Sequence, residues 1–249
     1  MSTSADWLVI GNGAISRAIL KYIPTATALT RPDLDIRDEP RELPGTNNGY
    51  AVICAAITGF GMCETYPDWS RDINVTATAA MAADLHSQGW TVIMLSSNAA
   101  INPTTEYGRQ KADLEKAWRW GPILRLPKIL HAYIPLLQNW IRLLQINHGI
   151  HAYTHGPIQP IGRSNVAQAL QIVAPQPPNV YQISGPTITW LTVARVLAER
   201  MGLPESLAQP QDSASTYSVM DSFPMRFLGW EQPTLEEVLD EVIDEWRNE

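Results

Sequence analysis

A serine, a tyrosine and a lysine near the middle of the chain have the chemistry to move a proton to or from a carbonyl oxygen. Tyr107 and Lys111 are spaced i, i+4, so both side chains lie on one face at the start of a predicted helix over residues 107–118. The lysine charge would lower the pKa of the tyrosine toward neutrality, as a nearby cation does for any acid. Ser97 stands at the end of the preceding predicted strand, just after residues 90–95. We therefore predict that Ser97, Tyr107 and Lys111 are catalytic, with a proton exchanged at Tyr107.

A glycine-containing turn near the amino terminus is suited to the phosphates of a dinucleotide. It follows a short apolar run over residues 7–10 and opens a helical pattern over residues 14–23. The first glycine makes the tight turn, the second lets the backbone approach a pyrophosphate, and the helix N-terminus supplies donors. A plain strand–helix turn is the alternative, since Ser16 stands at the third motif position. The predicted cofactor-binding residues here are Gly11, Asn12, Gly13, Ala14 and Ile15.

The residues about 20 positions further on bear on the choice of cofactor. An NAD-binding protein would place an acid there against the ribose hydroxyl, but this sequence has Leu29-Thr30-Arg31. A guanidinium can bind a 2′-phosphate bidentately, so Arg31 favours NADP. Asp33 lies close enough to keep NAD possible, and a solvated Arg31 is a further alternative.

Strands and helices alternate through the first half of the chain. Strands are predicted over residues 7–10, 25–30, 50–58, 90–95 and 122–126, and helices over 14–23, 73–86 and 107–118. Such alternation implies right-handed crossovers and a parallel sheet. The predicted fold is α/β, a Rossmann-type doubly wound parallel sheet with a small C-terminal substrate-binding lobe.

The second half is less regular, and proline clusters interrupt it. Two helices are predicted there, over residues 189–201 and 234–246. The second begins with a capping box, Thr234 with Glu237 three residues later. Its apolar positions form one stripe, which predicts that the acidic side chains lie on the solvent face.

Composition excludes several classes of protein. The 249 residues carry a formal charge of −7, but eight acids and one base fall in residues 231–249, and the rest of the chain is balanced. No basic cluster indicates nucleic-acid binding, and no apolar run approaches a membrane span. No secretory signal is recognisable, and Cys54 and Cys63 are expected to be reduced, so we expect a cytoplasmic protein.

Other candidate residues carry weaker signals. His148, His151 and His155 lie close in sequence, but no cysteine or acid accompanies them, so we predict no metal site and keep a substrate-pocket role as an alternative. Trp140 and Trp190 are expected to pack in the core rather than to stack on a sugar. Arg163 either meets a substrate phosphate or forms a surface ion pair.

With these motifs in order, the chain resembles an extended short-chain dehydrogenase/reductase, nearest to the dTDP-4-dehydrorhamnose reductase-like branch of the NAD(P)-dependent epimerase/dehydratase enzymes. The resemblance is strong up to Pro127 and diffuse beyond it. The matching segments are residues 11–16, 34–38, 52–56, 73–76, 95–97, 107–111 and 124–127, followed by 160–170, 181–185 and 228–230.

The resemblance implies roles for the matching positions. The cofactor would be flanked at its adenine by Asp35 and Ile36, lined by Ala55, Ala56 and Pro127, and backed by Asn74 in the central helix. Ser97 would hold the substrate carbonyl, Tyr107 would be the general acid, and Lys111 would bind the nicotinamide ribose. Residues 1–127 would form the NAD(P)-binding domain and residues 128–249 a reduced substrate lobe interleaved with the last Rossmann elements. The helices over residues 73–86 and 107–118 would form a homodimer interface.

Departures from that pattern narrow the implied activity. Only ten positions separate Ser97 from Tyr107, and Asn98 and Ala99 stand where a sugar dehydratase carries acids. The cysteine used by epimerase-reductases is absent too. Reduction of a keto group in a sugar nucleotide or a similar small carbonyl compound is the function expected. The alternatives are an NAD-retaining sugar-nucleotide epimerase and a non-catalytic NAD(P)-binding regulatory subunit.

Overall fold

The computed structural model describes residues 6–31, 33–38, 48–212 and 218–248, which form two compact units. The first unit comprises Met1–Leu126 and Val166–Gln182, and the second comprises Pro127–Asn165 and Ile183–Glu249. The described strands are β1 Trp7–Ile10, β2 Ala26–Leu29, β3 Tyr50–Ile53, β4 Thr91–Ser97, β5 Ile123–Leu126, β6 Ile150–Tyr153, β7 Val180–Gln182 and β8 Ala208–Gln211. The described helices are α1 Ala14–Tyr22, α2 Phe60–Thr65, α3 Pro67–Arg71, α4 Thr78–Ser87, α5 Glu106–Ala117, α6 Pro135–Gln145, α7 Arg163–Val173, α8 Trp190–Arg200, α9 Phe223–Arg226 and α10 Leu235–Arg247.

A parallel sheet forms the first unit, in the order β2-β1-β3-β4-β5-β7. The predicted doubly wound α/β fold is confirmed. The chain order reverses at β1, which has β2 on one side and β3 on the other. In such sheets ligands bind outside the carboxyl ends of the strands at this switch point. The Gly11 turn follows β1, so it lies there.

The strand predicted over residues 50–58 is shorter in the structure, because β3 ends at Ile53. The backbone N–H groups of Cys54 and Ala55 both donate to the carbonyl oxygen of Ile10, at 2.8 and 3.0 Å. The two consecutive bonds to one acceptor interrupt the regular ladder. The chain therefore leaves the sheet beside the Gly11 turn.

The segment from residue 60 to 87 is more helical than predicted. Helices α2 and α3 precede a π-helical turn, Asp72–Ala77, which continues into α4. Pro67 occupies the first turn of α3, where its missing N–H costs no helical hydrogen bond. The Thr78 hydroxyl donates to the Ile73 carbonyl oxygen at 2.8 Å, which satisfies an acceptor inside the π turn. Such turns often occur at functional sites.

In the second unit, helices α6, α8 and α10 pack on a two-stranded parallel sheet of β6 and β8. Helix α6 was not predicted, nor was α7, which lies mostly in the first unit, whereas α8 and α10 match the predicted segments. The capping box at Thr234 and Glu237 is present. Trp140 and Trp190 are buried with ring centres 6.0 Å apart, so the core-packing interpretation is confirmed.

Two acids of α10 do not lie on the solvent face as predicted. Glu245 is 6% exposed, accepts a hydrogen bond from Arg163 Nε at 2.6 Å and accepts another from the Ala132 N–H at 3.1 Å. Glu241 accepts bonds from the Ser164 N–H at 3.0 Å and hydroxyl at 2.6 Å. The prediction failed because helical periodicity does not reveal that other polar groups cover part of the helix. Arg163 forms a buried ion pair, so its predicted surface ion pair is wrong.

Three further observations concern the described parts of the chain. None of their helices is long and apolar enough to cross a membrane. No group of three or more His, Cys, Asp or Glu side chains lies close enough there to hold a metal ion. His148, His151 and His155 are exposed.

Candidate active site

The structure brings Ser97, Tyr107 and Lys111 together. Ser97 is the last residue of β4, and Tyr107 lies in the first turn of α5 with its side chain buried. The two side chains are close enough for Ser97 to influence the pKa of Tyr107. The ammonium nitrogen of Lys111 lies 5.8 Å from the centre of the Tyr107 ring. Thr105 fixes the start of α5, because its hydroxyl oxygen accepts a bond from the Gly108 N–H at 3.1 Å.

The connection between Ser97 and α5 is compact. Asn98–Ala100 form a 3₁₀ turn, and the Ser97 Oγ accepts a bond from the Ala99 N–H at 3.3 Å. A Cβ added at Gly108 would stand only 2.6 Å from the Ala99 carbonyl oxygen. Glycine at this position therefore lets the short connection pack directly on the first turn of α5.

The expected lowering of the Tyr107 pKa is not found. Burial raises the pKa of Tyr107 to about 12, and the nearby Cys63 thiol raises it further, while the hydrogen bond with Ser97 opposes both. Burial also lowers the pKa of Lys111 to about 8. Lys111 donates to the Leu95 carbonyl oxygen at 3.0 Å. The prediction considered only the attraction between the two side chains and missed the larger effect of desolvation.

The Gly11 turn has room for a phosphate-bearing ligand. Gly11 has φ +120°, and a Cβ there would stand 2.9 Å from the Ala55 N atom, so only glycine fits. At Gly13, which precedes α1, a Cβ would meet no atom within 4 Å, and no side chain caps the helix. The exposed Asn12 and the first residues of α1, Ala14 and Ile15, border this space. Open space at an uncapped helix N-terminus fits the pyrophosphate of a dinucleotide.

Arg31 forms an ion pair that was not predicted from the sequence. Its guanidinium lies 2.7 Å from a carboxylate oxygen of Asp35, and Arg37 donates to the same carboxylate at 2.8 and 3.1 Å. These bonds, led by those from Arg37, hold the pKa of Asp35 well below its usual range. The Arg31 side chain is still 66% exposed. Ile36 is buried in the core of the first unit.

Asn74 fixes the loop that follows β3. It lies in the π-helical turn, accepts from the Ile57 N–H at 2.8 Å and donates to the Ile57 carbonyl oxygen at 2.8 Å. It also donates to Gln110 Oε1 on α5 at 2.8 Å. The half-buried Ala55 and Ala56 precede Ile57 in this loop. Pro127 is buried directly after β5 and begins the second unit.

Two residues near the site were missed in the sequence. Gln110 is fully buried, and its amide donates to Ser70 Oγ at 2.8 Å. Phe60 begins α2, and its ring centre lies 5.4 Å from that of Tyr107. Gln110 directly precedes Lys111, which is the one signal that could have drawn notice to it. Phe60 lies in a segment for which no helix was predicted.

Comparison with known proteins identifies the fold. No family model matches the sequence, and no curated protein does. Among solved structures, a dTDP-4-dehydrorhamnose reductase from Bacillus anthracis str. Ames in complex with NADP matches with TM-score 0.80 and 15% identity, covering 98% of this chain and 100% of that one. A dTDP-glucose 4,6-dehydratase from Streptomyces venezuelae with NAD bound matches with TM-score 0.77 and 16% identity, covering 97% of each chain. A UDP-glucose 4-epimerase from Thermotoga maritima with UDP-glucose matches with TM-score 0.75 and 16% identity, covering 97% and 99%. The protein therefore has the fold of these extended short-chain dehydrogenase/reductases along nearly its whole length.

Proposed function

We propose that this protein is an NAD(P)-dependent oxidoreductase that reduces the keto group of a sugar nucleotide or a similar small carbonyl compound. The observation that carries the proposal is the placement of three residues: Ser97 ends β4, the buried Tyr107 lies in the first turn of α5, and the Lys111 ammonium lies 5.8 Å from the centre of the Tyr107 ring. The glycine turn lies in the same unit. Solved proteins with this fold include reductases, a dehydratase and epimerases that act on nucleotide sugars.

The residues at the switch point would hold the cofactor. The pyrophosphate would lie against Gly11–Ile15, and the exposed Arg31 would contact a 2′-phosphate, which favours NADP over NAD. We also propose the cofactor-binding roles that the family resemblance implies for six further residues: Asp35, Ile36, Ala55, Ala56, Asn74 and Pro127. When bound, the nicotinamide cofactor supplies the hydride.

The phenol of Tyr107 would supply the proton. With a pKa of about 12 it is protonated at neutral pH, so it can donate a proton to the oxygen of the carbonyl as that oxygen gains negative charge. The Ser97 hydroxyl would donate a hydrogen bond to the same oxygen. Lys111 has a pKa of about 8 and is mostly charged at neutral pH, so it would stabilise the tyrosinate left behind.

Two measurements, first of cofactor binding and then of turnover, test this proposal. Tryptophan quenching would measure the affinity for NADPH and NADH, and absorbance of the reduced nicotinamide would follow its oxidation with dTDP-linked and UDP-linked 4-keto sugars. We expect tighter binding of NADPH and its oxidation by at least one keto sugar. If neither NADPH nor NADH binds, the proposal is refuted.

A non-catalytic NAD(P)-binding subunit is the second candidate. The burial of Tyr107 and the compact connection from Ser97 favour it, since both restrict access to the phenol. Tight NADPH binding without oxidation across the whole substrate panel would support this candidate. NAD that stays bound through gel filtration would instead support a sugar-nucleotide epimerase. The homodimer and the cytoplasmic location stay predictions.

A further inference from the structure

Phe60 presents a partly exposed aromatic ring beside the proposed general acid. Its ring centre lies 5.4 Å from that of Tyr107, and the two ring planes are tilted by 45°. Tyr107 is 8% exposed, whereas Phe60 is 41% exposed. One side of Phe60 therefore covers the tyrosine, and another part of the ring faces outward next to it.

The backbone around Phe60 is held in place although its ring is exposed. Both backbone groups of Ile57 bond to the Asn74 side chain, at 2.8 Å each. The thiol of Cys63, one helical turn after Phe60, is fully buried and donates to the Ile57 carbonyl oxygen at 3.5 Å. A side chain on such an anchored helix start offers a preorganised contact surface, which limits the entropy lost on binding.

The residues next to Phe60 in the chain carry no charge. Thr58, Gly59 and Gly61 surround it, and a Cβ at Gly61 would meet no atom within 4 Å. An aromatic ring with glycine on both sides, whose nearest charged neighbour along α2 is the exposed Glu64 carboxylate, suits a flat apolar group better than a phosphate. The C–H face of a sugar ring is such a group.

We propose that Phe60 is a specificity-determining residue, on whose ring the C–H face of the substrate's sugar packs while its keto group reaches Tyr107. This inference rests on the proposed function, because it takes a sugar nucleotide as the substrate. It adds the residue that would recognise the sugar itself, separately from the nucleotide and the cofactor.

Met62 provides a matched control on the same helix. It is 46% exposed, slightly more than Phe60, so truncating either residue removes a similarly exposed apolar side chain. The two residues differ in that Phe60 carries an aromatic ring, which packs against the ring of Tyr107. A loss seen with both variants would report general damage to α2, whereas a loss seen with Phe60 alone would report its ring.

The test compares the affinities of dTDP and dTDP-glucose, and of UDP and UDP-glucose, by calorimetry on protein saturated with NADP⁺. In each pair, the dissociation constant of the nucleotide divided by that of the nucleotide sugar measures the contribution of the sugar. In Phe60→Leu we expect this ratio to fall about 3- to 10-fold, the range of a lost aromatic contact, with unchanged affinity for dTDP, UDP and NADP⁺. Met62→Ala should keep the wild-type ratio, and Phe60→Trp should largely retain it.

The outcomes separate this inference from the proposed function. Wild-type protein that binds neither NADP⁺ nor any of the four nucleotides would overturn the proposed function, and this inference with it. Binding of NADP⁺ alone would overturn this inference and leave the reduction of another small carbonyl compound. A wild-type ratio near one, a ratio unchanged in Phe60→Leu, or an equal fall in Met62→Ala would each overturn the inference alone. Thermal unfolding of each variant would verify that it is folded, and the non-aromatic Phe60→Met would replace Phe60→Leu if the leucine variant did not fold.

Discussion

The ammonium nitrogen of Lys111 lies 5.8 Å from the centre of the Tyr107 ring, and its hydrogen bond goes to the carbonyl oxygen of Leu95. Both side chains are buried, so each pays a desolvation cost for its charged form. The phenol is thereby kept protonated and the ammonium is kept close to its titration point. This arrangement suits donation of a proton from Tyr107 in the direction of reduction.

Lys111→Met should remove a pH-dependent cost to folding. The pKa of Lys111 is lowered to about 8 in the folded protein, against an ordinary value of 10.5, so the unfolded state holds more protons between these pH values. The wild-type free energy of unfolding should therefore rise with pH relative to the variant, by at most about 1.4 kcal/mol per pH unit. Below pH 8 the full cost is present and the difference is constant.

Urea unfolding of both proteins across this pH range measures the difference. Cys54, whose pKa burial raises to about 12, changes stability in the opposite direction above pH 9.0. Because Lys111 and Cys54 influence each other's pKa, the Cys54 contribution cancels between the two proteins only below about pH 9, where the thiol is protonated in both states. A difference that does not change between about pH 8 and 9 would show that Lys111 is not desolvated in this way.

Gly13→Ser and Gly13→Asp should separate folding from cofactor binding. Gly13 has φ −79° and ψ −176°, a conformation open to any residue, and serine and aspartate are both good helix caps. Both variants should unfold at the wild-type temperature or slightly above it. Gly13→Asp should weaken NADPH binding about 100-fold, because its carboxylate repels the pyrophosphate, and Gly13→Ser should weaken it much less. Equal, wild-type affinity in both would place the pyrophosphate elsewhere.

Arg31→Ala should change the preference between the two cofactors. If Arg31 contacts the 2′-phosphate, its loss should raise the dissociation constant of NADPH by about 10-fold or more and leave that of NADH nearly unchanged. Arg37→Ala is the control variant: it removes the other arginine that bonds to Asp35 and retains Arg31. If the NADPH affinity drops only in Arg37→Ala, the residue that contacts the 2′-phosphate is Arg37 and not Arg31.

Glu245→Gln should destabilise the second unit. The substitution leaves Arg163 as a buried charge without its carboxylate partner, which costs about 3 kcal/mol or more in comparable pairs. Asp244→Asn is a matched control on the exposed side of α10 and should change stability by no more than about 0.5 kcal/mol. Chemical unfolding of both variants gives the comparison. Equal stability would mean that the Arg163–Glu245 pair is not buried in solution.

Local patterns account for the parts of the molecule that were predictable. The strand ending at Ile10, the Gly11 turn and α1 follow each other in sequence, and the period and turn residues of each are visible there. The i, i+4 spacing placed Tyr107 and Lys111 on one face of α5 for the same reason. Pro135 and Arg163 begin helices that were missed, since the surrounding prolines indicate breaks rather than helices.

Contacts between distant segments account for what was not predictable. The pKa of Tyr107 depends on burial beside α2, which no periodic signal announces. Glu245 meets Arg163 from a segment far along the chain, so its helical pattern alone suggested an exposed acid. Arg31 lies four residues from Asp35, a spacing that could have indicated their ion pair had a turn been recognised.

Turnover by the Tyr107→Phe variant tests the central claim most directly. Wild-type protein should oxidise NADPH with a 4-keto sugar nucleotide, and removal of the phenolic proton donor should slow this reaction about 10³-fold, within the usual range for a general acid. The NADPH affinity measured by tryptophan quenching should stay within about twofold, because that hydroxyl is proposed to act on the substrate. Unchanged turnover in Tyr107→Phe would contradict the account.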